Sequence, residues 1–210
     1  MRDLLRKAFF VLLLRPFVRW VLGLRVEGAR NIPAADPFLL VANHDSHLDA
    51  LVLLCLFPAA RQSRIRAVAA ADYWQGSAVR RFVSGTLLGV LPVVRGAQPG
   101  TDPLAPLSAA LASGTSLVLF PEGTRGDPEV LLRFKSGAAR LSFSNPEVPV
   151  VPAFLRNAGR SLPRGSPLLV PLVCEVTVGE PVALSGGVRE RTAQLEAAVR
   201  TLDPSARPAL

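Results

Sequence analysis

Both histidines of the chain, His44 and His47, fall in the run Asn43-His44-Asp45-Ser46-His47-Leu48-Asp49. Imidazole titrates nearest neutrality, which suits it to take a proton from a hydroxyl at physiological pH. A carboxylate on its far nitrogen fixes the tautomer and supports the imidazolium that forms. Asp49, in what reads as the first turn of a helix, is the candidate for that partner. The same carboxylate has a structural reading, because Ser46 is a good N-cap and an acid three residues later completes a capping box. The two roles can coexist. A third reading makes His44, His47, Asp45 and Asp49 metal ligands, but no distant histidine or cysteine completes such a set, so neither a metal nor a cofactor is expected.

A second polar cluster reads Phe120-Pro121-Glu122-Gly123-Thr124-Arg125-Gly126. Within a few residues it offers main-chain N–H groups, a hydroxyl, a guanidinium and a carboxylate, which are parts for gripping a phosphate or a polyol headgroup. Taken alone it is equally an ordinary turn with Glu122 and Arg125 in solvent. Arg95 closes residues 89–95 and precedes the breakers Gly96, Pro99 and Gly100. It becomes part of an anion clamp if the fold brings it beside Arg125. The chain has no G-x-S-x-G elbow, no G-x-x-x-x-G-K-[ST] loop and no G-x-G-x-x-G turn, which disfavours serine-esterase, P-loop and dinucleotide chemistry. What remains is a His-Asp base without an enzyme nucleophile, and that points to direct attack by a substrate hydroxyl.

These clusters need elements to position them. Residues 38–42 read as a strand running into Asn43 and His44, and residues 47–57 as a helix ended by Pro58. Further strands are expected at 65–70, 90–94, 116–120, 148–152 and, once or twice, within 168–178. Helices are expected at 76–84, 102–113, 133–144 and 188–202. Pro92 marks its strand as an edge or an irregularity. The alternation predicts an α/β domain with a mixed, largely parallel sheet flanked by helices, in which sites gather at the carboxyl ends of strands.

Composition narrows the partners. The chain has 210 residues, enough for one domain with a real core, and carries a net charge of +8 with 50% apolar residues. That balance suits an anionic partner. No run of basic residues is interleaved with aromatics, so nucleic acid is not expected. Cys55 and Cys174 lie in apolar segments and read as buried thiols of a reducing compartment. Residues 1–25 form an arm whose apolar run is punctuated by Arg2, Arg6, Lys7, Arg15, Arg19 and Arg25 and interrupted at Pro16. It is too broken to span a bilayer. The expectation is an amphipathic helix in the membrane interface, arginines toward lipid phosphates, with packing on the domain's own core as the alternative.

Taken together, the clusters resemble the glycerolipid acyltransferase family typified by 1-acyl-sn-glycerol-3-phosphate acyltransferases, over residues 26–182. The family hallmark N-H-x-x-x-x-D is similar to residues 43–49, the second block to residues 89–95, the third to the intact Phe120-Pro121-Glu122-Gly123-Thr124-Arg125, and the fourth to residues 148–152. The resemblance implies an acyltransferase domain over 26–210, with His44 as general base and Asp49 as its partner. It implies headgroup and phosphate binding by Arg95, Glu122, Gly123, Thr124 and Arg125, and a shaping role for Pro152. It implies a lysophospholipid acceptor, an acyl-CoA or acyl-carrier-protein donor, and peripheral or monotopic attachment to an anionic membrane at its cytoplasmic face. The rival reaction is hydrolysis of a thioester or lysolipid by the same pair acting on water.

Overall fold

The computed structural model describes residues 2–71, 81–94, 102–163 and 168–206. Among them seven strands, β1 (Leu24–Glu27), β2 (Leu39–Ala42), β3 (Ile65–Ala70), β4 (Leu91–Val93), β5 (Ser116–Leu119), β6 (Val150–Arg156) and β7 (Cys174–Val178), form one sheet in the order β1-β7-β6-β2-β5-β3-β4. Neighbours run parallel except β6 and β7. The helices are α1 (Arg2–Phe9), α2 (Leu48–Cys55), α3 (Ala105–Ala112), α4 (Gly137–Ser144), α5 (Ala158–Ser161) and α6 (Val188–Arg200). The expected mixed, mostly parallel α/β architecture is present.

The strand period of two sorts the side chains. Phe38, Leu40 and Ala42 join a core with α2 and the N-terminal helix, while Leu39 and Val41 join a second core with α3, α4 and α6. β2 and β5 are buried along their whole length, because helices cover both faces of the sheet. The helix after β2 packs on one face and the helix after β5 on the other. These adjacent strands therefore part at their carboxyl ends, the place where an open α/β sheet forms a crevice.

Pro92 sits on the edge strand β4, as its missing N–H requires. Pro152 sits in an interior strand. Its carbonyl accepts from the Gly179 N–H, just past the last residue of β7, so its missing donor falls where that ladder runs out. β1 was not expected, and it straddles the boundary drawn at residue 25. Only 174–178 of the stretch 168–178 is strand. The helix expected at 76–84 lies partly outside the described residues.

From α1 the chain continues helically through the π-type turns Phe10–Leu14 and Phe17–Leu22. Phe10, Leu14, Val18 and Leu22, four residues apart, are buried against the α2 core. Leu4, Leu5, Val11, Leu12, Leu13, Trp20 and Val21 are exposed. The packing reading of the arm thus holds for the buried face, and the opposite face is exposed. The arginines need a correction. The Arg6 guanidinium is buried and donates to the carbonyls of Ile65 and Leu88 at 2.8 and 2.9 Å, and Arg15 donates to the Phe57 carbonyl, so both caps serve protein carbonyls rather than lipid. At Gly89, with φ +65°, a Cβ would lie 2.6 Å from Arg6 Cζ, which gives that position a reason to be glycine. No helix among the described residues is long and apolar enough to cross a membrane.

Candidate active site

β2 ends at Ala42 and the chain turns into α2 through residues 43–47. Asn43 fixes the exit: its side chain donates to the Leu155 carbonyl at 3.0 Å and accepts the Leu155 N–H at 2.7 Å, which ties the turn to β6. His44 Nδ1 then lies 2.8 Å from Asp49 Oδ2. The same oxygen accepts the N–H groups of Asp45 at 2.7 Å and Ser46 at 2.8 Å. Asp49 is only 1% exposed. Its one oxygen therefore completes the helix start and holds the histidine, so capping and orientation are a single arrangement. A carboxylate accepts only, which places the imidazole proton on Nδ1 and leaves the Nε2 lone pair for a substrate proton. The His44 ring stacks on Phe120 with centroids 4.2 Å apart at 20°. Phe120 is a positioning residue that motif reasoning named only as part of a turn.

Glu122 differs from its expected headgroup role. It is 2% exposed, and its two oxygens accept the N–H of His44 at 2.8 Å and of Leu132 at 3.0 Å. The Gly126 N–H donates back to the His44 carbonyl at 2.9 Å, and the Glu129 N–H to Asp45 Oδ2 at 2.7 Å. Three hydrogen bonds, two of them to the buried carboxylates of Glu122 and Asp45, thus bind the 122–132 loop to the His44 turn, and the Leu132 bond to Glu122 closes the loop on itself. Burial outweighs these donors, raising the Glu122 carboxyl to about 7 and the Asp45 carboxyl to about 6. The acid of the turn is spent on holding the loop, and the cation next to it is what faces outward.

Arg125 Nη1 is hydrogen-bonded to His47 Nε2. Arginine only donates, so His47 Nε2 accepts and the ring is neutral. Burial first, then the Arg125 charge, lowers the His47 pKa to about 4. His47 is therefore turned onto Arg125 rather than onto His44, a geometry that does not converge on a metal. Thr124 is exposed and Gly123 takes φ +69°. A Cβ at Gly123 would meet Lys135 Nζ at 2.8 Å, and the Lys135 N–H bonds the Pro121 carbonyl at 2.8 Å. Lys135 thus lies across the glycine and brings a second cation to the loop. Nothing in its sequence spacing announced that. Pro152 pairs with Val41 inside the sheet, one layer below the turn. Arg95 lies outside the described residues. A hollow of about 500 Å³, lined by Gly28, Asn31, Thr177 and Gly179 among others, lies beside β1 and β7 at the edge of the sheet and is not this site.

Cys174 is buried, Cys55 half-buried, and both are free; burial pushes the Cys55 thiol up to about 12, which leaves no reactive thiolate.

The family model described as Acyltransferase matches residues 23–156, a span holding the His44 turn and the Glu122 loop. A human protein named 1-acyl-sn-glycerol-3-phosphate acyltransferase alpha is 29% identical over 176 residues, covering 80% of this chain and 59% of its own length. The chloroplastic 1-acyl-sn-glycerol-3-phosphate acyltransferase of Arabidopsis thaliana is 31% identical over 148 residues, covering 68% of this chain and 38% of its own. The chain thus spans less than two thirds of the length of these relatives. The crystal structure of the 1-acyl-sn-glycerophosphate acyltransferase of Thermotoga maritima superposes with a TM-score of 0.74 at 23% identity, covering 100% of this chain and 84% of that one. That likeness is one of fold.

Proposed function

Because this chain belongs to the acyltransferase family, we propose that it moves a fatty acyl group from the thioester of acyl-CoA or acyl-carrier protein to the free hydroxyl of a lysophospholipid, with 1-acyl-sn-glycerol-3-phosphate the preferred acceptor and phosphatidic acid the product. The observation that carries the reading is His44 Nδ1 held at 2.8 Å by a buried Asp49, which leaves Nε2 as a base at the carboxyl end of β2. Nε2 takes the hydroxyl proton as that oxygen attacks the thioester carbonyl. The tetrahedral intermediate then collapses, the carbon–sulfur bond breaks, and the departing sulfur takes the proton back from the imidazolium. Asp49 stabilises the imidazolium between the two transfers. No covalent acyl-enzyme and no redox partner enter the balance.

Arg125, aimed by neutral His47, and Lys135, lying over Gly123, supply the positive charge for an acceptor phosphate. Thr124 and the main chain at Gly123 line the same loop, while Glu122 holds it in place. The names of the relatives favour a phosphate-bearing acceptor over a neutral one. We place the enzyme at the cytoplasmic face of a membrane, with the exposed face of the N-terminal helix in the interface.

The test is a panel of lysolipids offered with each acyl donor and read by mass spectrometry. A diacyl product from lysophosphatidic acid is expected; free fatty acid in its place would establish hydrolysis instead. His44→Ala should lower transfer by about three orders of magnitude with the fold retained, and normal turnover would remove His44 from the base role.

A further inference from the structure

The stretch Leu168-Leu169-Val170-Pro171-Leu172-Val173 has no polar side chain, yet it forms no strand, since β7 starts at Cys174. Its main chain is held on α5, with the Val170 N–H on the Ser161 carbonyl at 2.8 Å and the Leu172 carbonyl accepting the Ser161 hydroxyl at 3.4 Å. Leu168 is 68% exposed, Val170 42% and Val173 52%. Single exposed apolar residues are normal; a contiguous run of them marks a contact surface.

The run meets two regions already described. Val173 packs on Gly23, where a Cβ would come within 3.2 Å of Val173 Cγ2, and the Cys174 N–H bonds the Gly23 carbonyl at 3.0 Å. The run therefore meets the chain at Gly23, just past the last helical turn, which carries Trp20, 81% exposed, and the exposed Val21. Beside Ser161, which holds Val170 and Leu172, the Leu162 carbonyl accepts the Ser46 hydroxyl at 3.1 Å, on the turn that carries His44. An apolar surface thus leads from Trp20 past Val173 and Val170 to the α5 side of the active-site turn.

We propose that residues 168–173 are a second membrane contact, a ramp that seats the bilayer surface against the flank of the His44 turn. The proposal extends the reading of the N-terminal helix as an interfacial element and rests on it. Charge selects the occupant. Arg19 and Arg25, both exposed, flank the Trp20 end, and the chain carries +8. Anionic lipid complements that rim, whereas a second copy would bring the same positive rim against it. The ramp shortens the path of an insoluble acceptor, which then need not leave the lipid phase to approach His44.

The experiment compares the full chain with its Val170→Ser/Val173→Ser variant in co-sedimentation with vesicles of phosphatidylcholine and phosphatidylglycerol. Loss of two apolar contacts should weaken partitioning about tenfold, with circular dichroism and thermal unfolding unchanged. A separate full chain bearing Val170→Cys, labelled with an environment-sensitive dye, should shift its emission to the blue on the same vesicles, with the unsubstituted chain carried through labelling as control. Unchanged partitioning with no blue shift would overturn the proposal. So would a dimer in light scattering that the double serine variant dissociates. Both readouts are binding measurements, so a chain that binds through the ramp but transfers no acyl group would overturn the proposed reaction and leave the ramp standing.

Discussion

The His44 turn places polar groups inside the protein, and the N-terminal helix places apolar groups outside it. Each inverts the usual partition of side chains, and they resolve the inversion differently. Asp49, Asp45 and Glu122 are buried, but each has at least one oxygen met by N–H groups of this chain, with Asp45 Oδ1 and Asp49 Oδ1 the two left without a partner among the described residues. Leu12, Leu13, Trp20 and Val21 are exposed, and nothing in the described chain covers them. A buried polar group with partners within the fold explains itself as architecture that holds a reactive ring. An exposed apolar face is explained only by something outside the chain. One region should therefore respond to mutation through chemistry, the other through the surface on which the protein works.

The sharpest way to break that contrast is Asp49→Asn. Asparagine can keep an oxygen toward the Asp45 and Ser46 N–H groups, so the helix start survives, while the charge that supports the imidazolium is lost. Transfer should fall about 100-fold or more with little change in thermal unfolding. If activity is kept and only the melting temperature falls, the turn is a helix cap and nothing else. Next in size is Arg125→Ala, which should raise KM about tenfold for a phosphate-bearing acceptor and much less for a neutral one, with kcat nearly unchanged. Equal rises on both acceptors would take the phosphate out of the reading.

Much of this contrast was legible in the sequence, for reasons that differ by element. The apolar runs at 38–42 and 116–120 announced central strands because helices cover both faces of the sheet, and the polar residues directly after them located the crevice. His44 and Asp49 were legible because a turn of fixed length sets their separation. β1 was hidden, since it is four residues long with alternating burial and only Gly23 separates it from the helical arm, so its residues read as part of that arm. Arg6 misled because its charge reads as exposed, while the Ile65 and Leu88 carbonyls that receive it are brought there only by the tertiary fold. Glu122 and Lys135 show the same limit: motif letters name a carboxylate and say nothing of whether it faces the ligand or the main chain behind it.

A smaller effect, on stability against pH, tests whether the buried carboxylates are architecture. Burial lifts Glu122 from 4.5 to about 7 and Asp45 from 3.8 to about 6. A folded-state pKa above the unfolded one means that folding takes up protons. The contribution is fully present below about 4 and is lost as pH rises through about 7. The melting temperature should therefore decline by several degrees between about pH 5 and about pH 8 from this source. Glu122→Gln should flatten the decline while lowering stability overall, because an amide cannot accept both the His44 and Leu132 N–H groups. A slope identical in the two proteins would mean that Glu122 does not titrate in this range.

The smallest expected change belongs to the other region. Trp20 is a large apolar side chain, and its substitution would be costly anywhere in the core. It is 81% exposed, however, so Trp20→Ser removes almost no packing in the isolated protein. Thermal unfolding in solution should shift by no more than about 0.5 kcal/mol. Phe10→Ala on the opposite face of the same helix, fully buried against the α2 core, serves as the control that the assay registers a lost contact. Repeated with anionic vesicles, the comparison should change: the parent chain gains stability from the bilayer by mass action, and the Trp20→Ser chain gains less. A Trp20→Ser protein as destabilised in water as Phe10→Ala would show that the helix buries both faces. One stabilised by vesicles to the same extent as its parent would show that the bilayer does not meet this face.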